Sequence, residues 1–158
     1  MTQPIPDGHH GPIPHLVCSP CDKAIEFYEK AFGAEKLHAM SGPGGKMMHA
    51  EMMLGGRPIM LADDFPEFCG GQTRKATKLP ATPVTIHLYV EDTDATMKQA
   101  EAAGATITMP AMDMFWGDRY GKLTDPFGHD WSIATHQKDM TPEEMNEAGQ
   151  KAMSEMGG

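Results

Sequence analysis

The stretch Pro83-Val84-Thr85-Ile86-His87-Leu88-Tyr89-Val90 alternates between apolar and polar side chains, which is typical of a β-strand with one buried face. Its His87-Leu88-Tyr89 segment corresponds to His15-Leu16-Val17 at an offset of 72 residues. The same offset relates residues 56–62 to residues 128–134. Because one offset holds across separate parts of the chain, we predict two copies of one structural unit.

Each copy has the pattern of a βαβββ unit. In the first copy, the apolar residues that fall on one face of a predicted helix are Ala24, Ile25, Tyr28, Ala31 and Phe32. Gly33 ends that helix, and Gly55-Gly56 predicts a two-residue hairpin turn. The expected fold is therefore α+β, with tandem βαβββ modules followed by a C-terminal helix.

The same pattern sets the expected boundaries along the chain. They are a mobile N-terminal arm at residues 1–12, a first module at 13–64, a connecting loop at 65–82, a second module at 83–136, and a C-terminal helix and tail at 137–158. Thr141, Pro142 and Glu144 predict a capping box at the start of that helix. The connecting loop is long for a compact domain, so it is either a lid or a plain linker.

Composition excludes several classes of partner. A net charge of −9 argues against binding to nucleic acid. No apolar run approaches the ~20 residues of a membrane-spanning helix, and the N-terminal segment does not have the pattern of a signal peptide. The 3 cysteines do not suffice for a disulfide framework. We therefore expect a cytoplasmic protein that contacts neither nucleic acid nor membrane.

Three strings resemble the vicinal oxygen chelate superfamily, which includes glyoxalase I, bleomycin- and fosfomycin-resistance proteins and extradiol dioxygenases. They are Ala24-Ile25-Glu26-Phe27-Tyr28, Val90-Glu91-Asp92 and Asp125-Pro126-Phe127-Gly128-His129. More narrowly, Met48-His49-Ala50-Glu51 and Gly117-Asp118-Arg119 resemble the PhnB-like branch. The resemblance covers residues 13–140 and implies that the tandem modules form a curved mixed sheet around a cavity. It also implies a homodimer and a small-molecule ligand. It leaves the chemistry open, because one fold hosts many reactions.

The resemblance also implies where a metal ion would bind. In metal-using members, each module contributes one ligand from its first strand and one from its last strand. Those positions fall near Ile13, Met60, Thr85 and Ser132 in this chain. None of these four side chains is a good ligand for a borderline cation, so glyoxalase I activity is not expected.

A second set of polar side chains lies close to those positions. His15 and His87 follow two of them along the same predicted strands, while His49 and Glu51 alternate with methionines on another strand. If the four side chains share a cavity, they suit one divalent metal ion, either Zn, Fe or Mn. The alternative is a polar cavity that holds no metal.

Two functions are consistent with this set. The first is a small-molecule enzyme of the glyoxalase or PhnB-like type, with His87 and Glu51 as catalytic residues. Its chemistry would be that of an isomerase, lyase or dioxygenase on a substrate with vicinal oxygens, metal-dependent if the ion binds. The second is a metal-free, drug-sequestering binding protein of the bleomycin-resistance type. The predicted substrate-binding residues are Thr85, Tyr89, Trp116 and Arg119.

Two features have structural alternatives. Arg119 either holds a carboxylate or phosphate of the substrate or forms an ion pair with Asp118 or Asp125. Cys18-Ser19-Pro20-Cys21 has the spacing of a redox pair. It opens a βαβββ unit, however, and not the βαβ unit of thioredoxin-like proteins, which argues against a redox role.

Overall fold

The computed structural model describes residues 4–156. Residues 1–3 of the predicted arm and residues 157–158 of the predicted tail lie outside the described residues. The strands are β1 (His15–Val17), β2 (Glu35–Ser41), β3 (Met47–Leu54), β4 (Arg57–Ala62), β5 (Thr85–Tyr89), β6 (Thr106–Asp113), β7 (Asp118–Thr124) and β8 (Asp130–His136). The helices are α1 (Cys21–Phe32), α2 (Thr93–Ala103) and α3 (Pro142–Met156), with short 3-10 turns at Pro43–Gly45, Pro66–Phe68 and Ala76–Lys78. This order confirms the α+β fold with two βαβββ units and a C-terminal helix.

The two units form two four-stranded mixed sheets with the same topology. The strand orders are β1-β4-β3-β2 and β5-β8-β7-β6, and the first pair in each sheet is parallel. His15 lies opposite Met60 in the first sheet, and His87 lies opposite Ser132 in the second. His15 and His87 are 72 residues apart, and so are their partners Met60 and Ser132, which confirms the internal repeat.

Several helices and turns have the end residues that the sequence predicted. Gly33 has a φ of +67°, which the left-handed cap of α1 requires. Gly55 and Gly56 both have positive φ values in the turn between β3 and β4. At α3, the Thr141 backbone N–H donates to Glu144 at 2.8 Å, and the Glu144 N–H donates to the Thr141 hydroxyl at 3.2 Å. The predicted capping box is thus confirmed.

The buried core includes a polar joint between the modules. The Tyr28 hydroxyl of α1 donates to Asp125 Oδ2 at 2.6 Å, and Trp131 Nε1 donates to the same oxygen at 3.0 Å. The backbone N–H groups of Phe127 and His129 donate to Asp125 Oδ1, each at 2.9 Å. A buried carboxylate needs such partners. The turn that precedes β8 therefore fastens the first module to the second.

The segment between the modules is anchored where it leaves β4. The Asp63 carboxylate accepts hydrogen bonds from the Ser19 hydroxyl and the Met47 backbone N–H, both at 2.8 Å. The carboxylate of buried Asp64 accepts one from the Thr73 hydroxyl at 2.6 Å. The contact between Asp64 and Thr73 ties the predicted connecting loop to the first module.

The C-terminal helix rests on the body through small residues. Its half-buried positions are Ala148, Gly149 and Ala152, and a side chain at Gly149 would meet the Phe115 ring at 3.1 Å. Met153 is exposed. Within the described range, no helix combines the length and apolar character needed to cross a membrane.

Candidate functional site

The two modules border a cleft that consists of two neighbouring cavities. One cavity of about 550 Å³ is lined by His87 and Tyr89 of β5, and the other, of about 530 Å³, is lined by His15 of β1 and Thr85 of β5. The segment of residues 12–14 borders both cavities. His15 and His87 therefore lie in adjoining cavities with this segment between them.

His87 is held in place by its neighbour across the sheet. Strand alternation puts Thr85, His87 and Tyr89 on one face of β5 and the half-buried Ile86 and Leu88 on the other. His87 Nδ1 lies 2.7 Å from the hydroxyl oxygen of Ser132 on β8. Among the described residues, no hydrogen-bond partner of Nε2 is found, so Nε2 is the nitrogen left for a ligand.

The buried carboxylate of Asp118 lies on the same face of the second sheet as His87 and contacts polar groups of three side chains there. Asp118 is 4% exposed, and its Oδ2 accepts hydrogen bonds from the Tyr89 hydroxyl at 2.9 Å and from Trp116 Nε1 at 3.1 Å. His136 Nδ1 lies 2.8 Å from Oδ1. Burial opposes ionisation of Asp118, but these hydrogen bonds outweigh burial and hold the pKa of Asp118 below its ordinary value.

Four rings line this face of the second sheet. We define the aromatic platform as His87, Tyr89, Trp116 and Tyr120. The ring centroids of His87 and Tyr89 lie 4.6 Å apart, those of His87 and Tyr120 6.1 Å, and those of Trp116 and Tyr120 5.4 Å. The platform thus begins in the cleft and extends across β8 to β7 and the loop before it.

The first sheet carries a separate group of histidines. The rings of His15 and His49 meet edge to face, with centroids 5.9 Å apart. Burial, followed by the neighbouring His49, lowers the pKa of His15, which favours a neutral ring at pH 7. Glu51 Oε1 lies 2.9 Å from Nε2 of His9, so the described part of the predicted arm contacts this sheet. Neither cavity of the cleft is lined by His49 or Glu51.

Arg119 lies apart from the other predicted substrate-binding residues. Strand alternation places its side chain on the face of β7 opposite Asp118 and Tyr120. Its guanidinium donates to both carboxylate oxygens of Asp94 and to Asp113 at 3.1 Å. An ion pair was one of the two predicted interpretations, but its partners differ from the predicted Asp118 and Asp125.

The Cys18 and Cys21 thiols are buried at the start of α1 and are not joined in a disulfide. Burial, with Asp63 as the next contributor, raises the pKa of Cys21 to about 12. Burial also raises the pKa of Cys18. Thiol chemistry requires the thiolate, so this environment disfavours a redox role for the pair.

Comparison with known proteins identifies the family. Residues 12–133 match the model of the Glyoxalase/Bleomycin resistance protein/Dioxygenase superfamily. The chain belongs to this superfamily. It is 46% identical over 144 residues to the uncharacterized protein Mb0911c of Mycobacterium bovis, with 91% of this chain and 92% of that protein covered. The narrower resemblance to the PhnB-like branch stays a prediction.

Solved structures of the superfamily share the fold. A glyoxalase-related enzyme from Fulvimarina pelagi is 19% identical with a TM-score of 0.63, covering 80% of this chain and 87% of that chain. The genomically encoded fosfomycin resistance protein FosX from Listeria monocytogenes is 16% identical with a TM-score of 0.60, covering 85% of this chain and 96% of that chain. Identities this low establish a common fold and leave the activity open.

The residues present do not fit the metal centre that the superfamily implies. Met60 and Ser132 occupy two of its four ligand positions, opposite His15 and His87 in the sheet register. The second set of candidate ligands, which the sequence predicted to share a cavity, does not come together. His15 and His87 border different cavities, and Glu51 is hydrogen-bonded to His9. Within residues 4–156, no three His, Cys, Asp or Glu side chains are arranged to hold a metal ion.

The sequence pattern did not indicate several residues of this face. Ser132 was considered only as an empty ligand position, and the pairing of β5 with β8 places it opposite His87. Tyr120 follows from strand alternation once Trp116 and Asp118 are considered. His136 has no such signal, because its contact with Asp118 depends on the pairing of β7 with β8.

Proposed function

We propose that this superfamily member binds a small organic molecule in the cleft between its modules, without a metal ion. The observation that carries this proposal is the cavity of about 550 Å³. Its volume lies within the roughly 300–1,000 Å³ of small-molecule sites. Its lining is mostly apolar, with a few polar side chains that include Arg57 and His87. Apolar walls with a few placed polar groups are the usual composition of a ligand site.

The proposed binding role corresponds to the drug-sequestering alternative. The candidate metal ligands do not converge, since His15 and His87 border different cavities and Glu51 is hydrogen-bonded to His9. The net charge of −9 favours ligands that are neutral or cationic over anions. His87 Nε2 supplies a polar anchor beside the apolar lining.

A variant in which a larger side chain blocks the cleft tests the proposal. Ile13 lines both cavities, and Ile13→Trp adds a bulky ring at the boundary between them. Leu37→Trp is the matched control, because Leu37 is exposed on β2 and lines neither cavity. A fragment library is screened by ligand-observed NMR against full-length protein treated with EDTA.

We expect fragments that bind wild type and Leu37→Trp with equal affinity, with or without EDTA, and that fail to bind Ile13→Trp. Fragments that bind Ile13→Trp as well as wild type would contradict the cleft as the site. Binding that is lost in EDTA and restored by zinc would contradict metal independence. The absence of any binder from the screen would contradict the binding function.

A second candidate function is general-base catalysis by His87 on the bound molecule. The observation that favours it is the 2.7 Å contact between His87 Nδ1 and the Ser132 hydroxyl. If Nδ1–H donates to Ser132, the lone pair of Nε2 is available to take a proton from the ligand. Such a step suits an isomerase or lyase. His87→Gln would then abolish turnover of a cleft ligand and change its dissociation constant by less than about fivefold.

A further inference from the structure

The aromatic platform exposes ring surface while several of its polar edges are already hydrogen-bonded. The Tyr89 hydroxyl and Trp116 Nε1 both donate to the buried Asp118, and His87 Nδ1 contacts the buried Ser132. Tyr89 nevertheless remains 58% exposed. The surface therefore presents ring faces and ring edges to a ligand, and these hydrogen-bonding groups are engaged within the sheet.

The rings are spaced for contact with another flat ring. The planes of His87 and Tyr120 lie within 20° of each other, and Tyr89 and Trp116 stand at 81° and 79° to His87 and Tyr120, respectively. Only small side chains separate the rings on the intervening strand β8, since Tyr89 and Tyr120 both pair with Ala134. Offset stacking and edge-to-face packing are the two favourable arrangements of aromatic rings. A flat ligand ring on this surface meets exposed rings of differing orientation, so either arrangement is open to it.

We propose that the ligand of the cleft carries a flat aromatic or heteroaromatic ring that stacks on the aromatic platform. The inference rests on the proposed function, because His87 and Tyr89 belong both to the platform and to the 550 Å³ cavity. A saturated ring system of equal size gains apolar burial in the cleft but lacks the attraction between rings. Planarity, in addition to apolar area, therefore decides affinity.

The test compares two probes with one carbon skeleton, 2-naphthol and trans-decahydro-2-naphthol, in titrations of the full-length protein followed by NMR. Methyl signals of Leu88 and Ile59 report occupancy of the cavity, which both residues line. Ring signals of Tyr89 report contact with the platform. We expect 2-naphthol to shift both sets of signals and to bind about tenfold more tightly than the saturated probe.

Three variants separate the effect of the Tyr89 ring from that of its hydrogen bond. Tyr89→Leu removes both the ring and its hydrogen bond to Asp118, and 2-naphthol should then lose most of its preference over the saturated probe. Tyr89→Phe loses the same hydrogen bond but keeps the ring, so we expect its affinity to fall by less than about threefold. Phe68→Leu removes a ring that is 77% exposed outside the platform and should leave binding unchanged.

Two outcomes would overturn the inference in distinguishable ways. If both probes shift the Leu88 and Ile59 methyls with equal affinity and Tyr89→Leu has no effect, the platform does not select flat rings, while the cleft still binds small molecules. If neither probe shifts the methyls, the inference fails together with this support for the proposed function.

Discussion

Replacing Tyr28 with phenylalanine removes one hydroxyl from the joint between the modules. This hydroxyl donates to Asp125 at 2.6 Å, and both residues are buried. A hydrogen bond to a charged group contributes roughly 1.5–3 kcal/mol. Asp125 keeps its contacts with Trp131 Nε1 and two backbone N–H groups, so the carboxylate is not left unpaired. We therefore expect the free energy of unfolding to fall by about 2 kcal/mol, and Tm by about 4–8 °C.

Urea unfolding at pH 7, followed by circular dichroism, measures the loss. Tyr89→Phe is the matched control, since it removes a hydroxyl that donates to Asp118 at 2.9 Å from a side chain that is largely exposed. Because Tyr89 is largely exposed, a water molecule can take the place of its hydroxyl beside Asp118. The control should therefore lose less than about 1 kcal/mol. Equal losses for the two variants would refute the conclusion that the turn containing Asp125 fastens the modules together.

Three further outcomes are expected. Arg119→Gln should change the affinity of a cleft ligand less than about twofold in calorimetry, because two carboxylates outside the cleft already bind the guanidinium; a tenfold loss would place Arg119 at the ligand. Hydrogen bonds to two aspartates raise the pKa of His136, so its contribution to stability is complete below the ordinary histidine pKa and disappears as pH rises through the raised value. The difference in unfolding free energy between wild type and His136→Gln should shrink as the pH rises above the ordinary histidine pKa of about 6.5, and a difference that grows would contradict this sign. In native protein at pH 8, Ellman's reagent should titrate Cys69, which is partly exposed, and spare buried Cys18 and Cys21; rapid reaction of all three thiols would contradict their burial.

The fold could be predicted because its signals are local or repeated. Glycines marked the ends of helices, and the 72-residue offset predicted that the second unit repeats the first, which the equivalent pairings of β1 with β4 and of β5 with β8 confirm. The full length of β6 was not evident from the sequence, since the strand extends past Pro110 to Asp113. It continues through Pro110 because β6 is an edge strand, where a missing backbone N–H costs no sheet hydrogen bond.

The candidate site could be predicted only in part. The offset makes His15 and His87 equivalent in their own sheets, but equivalence does not determine the distance between sheets or what lies between them. Residues 12–14 border both cavities, and nothing in their sequence indicates that placement. The Asp118 contacts were also missed, because they join side chains from three different strands and a loop. The homodimer and the cytoplasmic location stay predictions.

β1 and β5 are edge strands, so some of their main-chain N–H and C=O groups face away from their sheets. These groups are not changed when a side chain is substituted. In a parallel pair, the N–H and C=O of one residue point to the same side and those of the next residue to the other side. The Val90 N–H donates to Ala134 of β8, so the main-chain groups of His87 and Tyr89 point away from the sheet. The Val17 carbonyl at the equivalent edge of β1 already contacts His129 of the second module at 3.0 Å. Substituting His87 removes an imidazole but keeps these amide groups, so alanine scanning will underestimate how much this position contributes to recognition.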